Sequence, residues 1–163
     1  MTIPKRPKIY PHLWYAKEAE QAAKYYTSIF PDSRVNSVWA LQSESPSGPA
    51  GSVKVVDFTL FGQHFQAMTA GPHHEFNDAM SIVVECDNQQ EVDRYWAALL
   101  EGGGKEQMCG WVNDRWGVRW QIVPKRLDEL MRDPDPKRAK KAADAMLKMV
   151  KIDIATLEKA VNG

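Results

Sequence analysis

The sequence predicts an α+β fold: two βαβββ modules forming a curved, cupped mixed sheet with helices on its outer face, plus a C-terminal helical tail. Three observations lead there. The order strand, helix, strands occurs twice along the chain. The hairpin ends "FGQHFQAM" (61–68) and "WGVRWQIV" (116–123) share an aromatic-Gly-x-basic-aromatic-Gln pattern. Beyond Pro124 the apolar positions take up helical spacing. The expected organisation is a single domain over residues 1–163, with modules at about 8–70 and 79–124 and a helical tail over 125–163.

Each element has a local reason. "KIYPHLWYA" (8–16) is rich in aromatics after a proline-broken lead-in, which predicts a strand. Residues 17–30 predict a helix, because Ala19, Ala22, Ala23, Tyr26 and Phe30 recur at spacings of three and four and Pro31 stops the run. "SRVNSVWALQ" is a second strand, and the Ser/Pro/Gly-rich stretch 43–52 reads as a mobile loop. Residues 53–68 break at Gly62 into a hairpin.

Residues 70–78 carry loop chemistry, and 79–87 is a strong strand. Asp87 then caps a helix whose Val92, Tyr95, Trp96, Leu99 and Leu100 form one apolar face, with Gly102 to Gly104 as a left-handed exit. This helix matches the first, Lys24, Tyr25 and Tyr26 answering to Arg94, Tyr95 and Trp96. Residues 110–124 form a strand, a turn and a strand. In the tail, two Asp-Pro pairs each place an N-cap before a proline at the first helical position, and a final helix begins near Asp153.

Composition narrows the function. Lysines and arginines number 21, as do aspartates and glutamates, and no block of like charge occurs. That argues against a nucleic acid or an acidic membrane surface as partner. No apolar run approaches the roughly 20 residues of a membrane span, and the N-terminus has no apolar stretch of a signal peptide. Cys86 and Cys109 lie too far apart for a paired metal motif and suggest no disulfide framework. The expectation is a cytoplasmic protein.

Alternation along strands assigns faces. On the last strand Val118, Trp120 and Ile122 point one way, toward the helices, and Arg119, Gln121 and Val123 the other. On the earlier strand Phe65 points to the helices, with His64, Gln66 and Met68 toward the cup. The two halves would then present a His/Gln pair and an Arg/Gln pair to a shared space.

The segments "HLWY", "AEQAAKYYTSIFPDSRV", "TAGPHHEFNDAMS", "EVDRYWAALLEGG" and "CGWVNDRWGVRWQIVP" together resemble the 3-demethylubiquinone-9 3-methyltransferase-like, or PhnB-like, family. This is a branch of the vicinal-oxygen-chelate superfamily, with the glyoxalases, bleomycin-resistance proteins and extradiol dioxygenases. The resemblance runs from about residue 8 to 160, the tail included. It implies paired βαβββ modules, often a homodimer, and a cavity in the cupped sheet. Metal-dependent relatives hold four ligands on four inner strands. Those positions fall at Pro11 (or His12 in a register one residue along), Gln66, Ser81 and Gln121. A divalent cation wants strongly donating, deprotonated groups, whereas amides and a hydroxyl donate weakly.

The reading that follows is a glyoxalase- or bleomycin-resistance-like protein that binds a small molecule without a cofactor. Tyr15, His64, Gln66, Met68, Ser81, Trp111, Arg119 and Gln121 are its candidate ligand contacts. No catalytic residue is assigned, and whether any reaction is catalysed stays open. The alternatives are a metal-dependent lyase, isomerase or dioxygenase using His12 with His64 or Glu85, and a quinone-pathway methyltransferase, for which no Gly-rich cofactor turn appears. Each candidate also has a plainer reading. Gln66 and Gln121 could make structural bonds, and Arg119 an ion pair with an acid such as Glu85. His64 could be merely hydrogen-bonded, and His73 with His74 a solvated turn. Trp14 and Trp120 read as helix-facing core, Cys109 as a small packed hydrophobe, and Met146, Met149 and Val150 as packing.

Overall fold

The computed structural model describes residues 5–163. Residues 1–4, the start of the lead-in read above for a signal peptide, lie outside the described residues. The chain divides into two compact units, Met1–Glu75 and Phe76–Gly163. The expected α+β architecture is present as two four-stranded mixed sheets, one to each unit.

The first unit holds β1 (His12–Tyr15), α1 (Ala19–Ile29), β2 (Arg34–Ala40), β3 (Lys54–Leu60) and β4 (Gln63–Thr69). Its strand order is β1-β4-β3-β2, with β1 parallel to β4 and the other pairs antiparallel. Helix α1 buries Ala19, Ala22, Ala23 and Tyr26, the stripe its spacing predicts. Beneath it lie Phe58 and Phe65, stacked with centroids 5.4 Å apart. The β3–β4 turn sets Phe61 and Gly62 both at positive φ (46° and 77°), as a two-residue hairpin of matching twist requires. The 43–52 segment carries backbone hydrogen bonds of its own. Leu41 N–H donates to Val53 O, Gly51 N–H donates to Leu41 O, and Ser45 bridges Gly48, so the Ser/Pro/Gly composition here builds turns.

The second unit holds β5 (Ile82–Cys86), α2 (Gln89–Leu100), β6 (Lys105–Glu106), β7 (Trp111–Asn113) and β8 (Arg119–Pro124), ordered β5-β8-β7-β6. The two-residue β6 has no sequence signal; its pairing with β7 completes the second module. Asn88, not Asp87, caps α2. Its side chain accepts from Glu91 N–H while the Glu91 carboxylate accepts from Asp87 N–H, a reciprocal cap. Gly102 and Gly103 make the left-handed exit (φ 78° and 115°).

The tail folds onto the second unit as α3 (Lys125–Met131), α4 (Pro136–Met146) and α5 (Ile154–Asn162). Only the second Asp-Pro pair starts a helix: Asp135 caps α4, while the Asp133 carboxylate accepts from Asp135 N–H in the preceding bend. Leu127, Leu130, Ala142, Ile152, Leu157 and Val161 form a tail core, with Met146 and Met149 packed against it. Gln89 joins the tail to α2 by donating to Ile152 O and accepting from Ile154 N–H. At Gly110 (φ 80°) a Cβ would meet Ile152 at 2.9 Å, so glycine alone lets the β7 end approach the tail. Among the described residues no helix is long and apolar enough to cross a membrane.

Candidate functional site

The sheet of the first unit turns one face to α1 and leaves the other free of helices. Register sorts that second face into three rows. At one end Arg34, Thr59 and His64 are cross-strand partners. In the middle come Ser37, Asp57, Gln66 and His12. At the other end lie Trp39, Val55, Met68 and Trp14. Successive rows stand roughly 7 Å apart along the strands.

The middle row is a hydrogen-bonded network around Asp57, which is 5% exposed. Its Oδ1 accepts from Arg6 (3.1 Å) and from Gln66 Nε2 (3.1 Å), and its Oδ2 accepts from Ser37 Oγ (3.2 Å). Gln66 Oε1 in turn accepts from His12 Nδ1 at 2.8 Å, which puts the His12 proton on Nδ1. A flipped Gln66 would set two acceptors face to face at Asp57, so the chain of bonds has one sense. His64 Nε2 lies 3.3 Å from Asp57 Oδ1. It is out of line for a hydrogen bond, and is the one buried side-chain polar atom without a partner among the described residues. Tyr10 packs edge-on against the His64 ring and carries the Arg6 guanidinium on its own ring.

The apolar end opens into a cavity of about 360 Å³ lined by Trp14, Leu41, Val53, Met68, Ala70, His73 and His74, with Ser45, Pro46 and Ser47 at its edge. Trp14 donates its indole N–H to Gly71 O, and His73 and His74 meet its ring edge-on at 6.1 and 4.8 Å. The two histidines lie in the exposed turn expected of them, and their rings rest edge-on against Trp14. Trp14 departs from its expected place. It faces the cavity, because the strand register puts His12 and Trp14 on the free face and Leu13 and Tyr15 on the helix face. Tyr15 is buried under α1, its hydroxyl 3.0 Å from that of Tyr26, and does not line the cavity.

The free face of the second unit is built differently. Val83, Gln121 and Trp111 share a row. Ser81 lies just before β5, and its Oγ accepts from Gln121 Nε2 at 2.8 Å. Arg119 donates to Asp78 at 2.8 Å rather than to the expected Glu85, which instead lies 3.9 Å from Lys125. The Arg119 guanidinium, then Gln107, holds the Asp78 carboxyl below the usual carboxylate range. Trp120 is core, as expected, and its indole N–H donates to the buried Asp114. Burial pushes the Cys86 thiol up to about 12, so it is inert packing. Cys109 is half-buried and donates its backbone N–H to Met149 O.

The residues present do not fit a divalent cation. Gln66 spends its oxygen on His12 and its amide N–H on Asp57, and Asp57 is spent on Arg6, Ser37 and Gln66. Ser81 Oγ accepts from Gln121 Nε2, and a hydroxyl and an amide are weak donors to a divalent cation. No group of three or more His, Cys, Asp or Glu among the described residues could hold a metal ion. Nor does the glycine run fit a nucleotide cofactor. A Cβ on Gly104 would meet Leu99 O at 2.6 Å, which marks the run as the closure of α2.

Asp57, at the centre of the network, is absent from the sequence-derived candidates. Asp57 had a signal: it is the one acid in the run "VKVVDFTLF", whose other members are apolar except Lys54 and Thr59, and burial there demands partners.

The family described as 3-demethylubiquinone-9 3-methyltransferase matches residues 7–123. Among solved structures, the PhnB protein of Bacillus cereus, provisionally assigned as such a methyltransferase, is 32% identical. The match covers 72% of this chain and 99% of that one, with a TM-score of 0.63. Protein PA1353 of Pseudomonas aeruginosa is 23% identical over 72% of this chain and 97% of its own, with a TM-score of 0.54, and shares the fold. No curated protein matches. The family match ends at Val123, so the tail, which the resemblance in sequence includes, lies outside it. On these matches the chain belongs to the 3-demethylubiquinone-9 3-methyltransferase (PhnB-like) family of the vicinal-oxygen-chelate superfamily.

Proposed function

We propose that this protein binds a small, largely apolar and flat molecule in the Trp14–Met68 cavity, by shape and hydrogen bonds and without a metal. The observation that carries this is the division of labour on one sheet face. The candidate ligand position Gln66 is consumed in fixing His12 and Asp57, and the open volume lies one row away against Trp14 and Met68. A cavity of about 360 Å³ is at the lower end of the range for small-molecule sites, about 300–1,000 Å³. Apolar walls favour burial of a ring, and the His73 and His74 imidazoles supply polar edges that set its orientation. The proposed roles of Ser81, Trp111, Arg119 and Gln121 are then positioning and packing on the second unit rather than contact with this ligand.

The test is ligand-observed NMR with uncharged aromatic fragments, repeated with excess EDTA, together with elemental analysis of untagged protein. Saturable binding that survives EDTA and weakens at least about tenfold in Met68→Trp, which fills the cavity, is expected. Stoichiometric bound metal, or binding lost on chelation, would overturn the proposal. The proposed working form is a cytoplasmic homodimer. Balanced charge, two unpaired thiols and exposed Met80, Val83 and Met108 on the second unit support it. Light scattering should return twice the 18.5 kDa chain mass, and a monomer at micromolar concentration removes it.

A further inference from the structure

The opposite end of the same face has a different chemistry. A second cavity, of about 280 Å³, is lined by Arg34, Asn36, Thr59 and His64 from the sheet, Lys5 and Pro7 from the lead-in, and Asp32 and Gly62 from the turns. Arg34, Thr59 and His64 are the end row described above, so three neighbouring strands aim polar side chains into one space. Asn36 sits at the irregularity between Val35 and Ser37, where the register of β2 shifts.

The hydrogen bonds of this cavity do not balance. Asn36 Nδ2 donates to Thr59 Oγ1 at 2.9 Å. The hydroxyl of Thr59, a residue 6% exposed, has therefore filled an acceptor position and still carries its own proton. No acceptor for that proton, and no ion pair or hydrogen bond of the Arg34 guanidinium or the Lys5 ammonium, is found among the described residues. His64 beside them is buried with its Nε2 unpartnered. The acid nearest His64, Asp57, is already held by Arg6, Ser37 and Gln66. Against the two cations and the Thr59 proton the cavity lining offers one carboxylate, Asp32.

We propose that this cavity is a binding site for a small oxyanion, the phosphate or carboxylate group of a metabolite. The Arg34 guanidinium would make the paired contact, with Lys5 as a second charge and the Thr59 hydroxyl as a buried neutral donor. A planar fork of N–H groups suits either a carboxylate or two oxygens of a phosphate. The site stands on its own residues, independent of the Trp14–Met68 cavity.

Two-dimensional NMR of nitrogen-labelled full-length protein tests it, with inorganic phosphate and acetate as separate probes. Saturable millimolar shifts at Arg34 Nε and at the amides of residues 34–36 and 59–64 are expected with at least one probe, and whichever binds more tightly identifies the oxyanion class. Arg34→Gln, an exposed change that spares the fold, should weaken that binding at least about tenfold, and Arg34→Lys should retain part of it. Non-saturating shifts scattered over surface lysines, equal binding by Arg34→Gln and the parent, or no shift with either probe would each overturn the proposal. Aromatic-fragment binding at Trp14 is read separately and should be unchanged in Arg34→Gln, so failure at one site is told from failure at the other.

Discussion

The two units place a glutamine at the same point of the same sheet and use it in opposite ways. Gln66 on β4 and Gln121 on β8 each sit between the first strand of the module and its third. In the first unit the flanking positions are His12 and Asp57; in the second they are Val83 and Trp111. A buried acid at the Asp57 position draws Arg6, Ser37 and Gln66 into one network and leaves polar side chains across the face. With Trp111 in that place Gln121 donates to the Ser81 hydroxyl and to no other side chain among the described residues. The polar network of this face lies one row along, where Gln107 donates to Asn113 and Asp78 and Arg119 donates to Asp78. The residue at this point of the third strand thus decides whether the glutamine is drawn into a charged network or keeps one neutral bond, because a desolvated carboxylate must be paired and an indole need not be.

The second unit has its own buried acid, displaced from the free face into the β7–β8 turn. Asp114 accepts from Trp116 N–H, Val118 N–H and Trp120 Nε1. Asp114→Ala would orphan three donors in a site 4% exposed, and should be the most costly change, about 3 kcal/mol or more by urea unfolding. Asp57→Ala should cost less, about 2 kcal/mol, because the Arg6 side chain is 30% exposed and water can take over its contacts. If Asp57→Ala proves the more costly, the assignment of the two acids to a face and a turn is reversed.

Next in size is the glutamine pair itself. Gln66→Ala removes a charge-assisted bond to Asp57 and the acceptor of His12, and should cost about 1 kcal/mol or somewhat more. Gln121→Ala removes a neutral bond to Ser81 and should cost about half of that or less. Equal costs in urea melts would break the comparison between the units.

The smallest effect is electrostatic. The Asp78 carboxyl is held below its ordinary value by Arg119 and then Gln107. A depressed folded value means that the pair's contribution is present above the ordinary aspartate value, near pH 4. It is lost as pH falls through the lowered value. The Arg119 Nε signal should therefore hold steady down to about pH 4 and shift only below it. A midpoint above that would mean that the pair is absent. Asp78 is exposed, so the pair is a positional marker rather than a source of stability.

Much of the fold was legible because its signals are local. Helical spacing marked the buried faces of α1 and α2, Gly62 and Gly102 marked positive-φ turns, and the matched aromatic-Gly-x-basic-aromatic-Gln ends marked β4 and β8 as equivalents. The alternation on β8 correctly put Trp120 and Ile122 in the core and Arg119 and Gln121 opposite. The β6 strand was not legible, since two residues carry no period.

Sequence by itself determined the elements other than β6, their repeat and the side of β8 that is buried, because each follows from periodicity within one segment. Tertiary structure decided the site. Strand alternation divides a strand into two faces without naming the partner row, and a shift of one residue exchanges them all. Pairing His12, not Pro11, with Gln66 turned Trp14 toward a cavity and Tyr15 under the helix. The same pairing set Asp57 at the centre of a network whose members Arg6, His12, Ser37 and Gln66 lie far apart in the chain. Partners for a buried charge come from whichever strands stack beside it, and only the folded sheet fixes which those are.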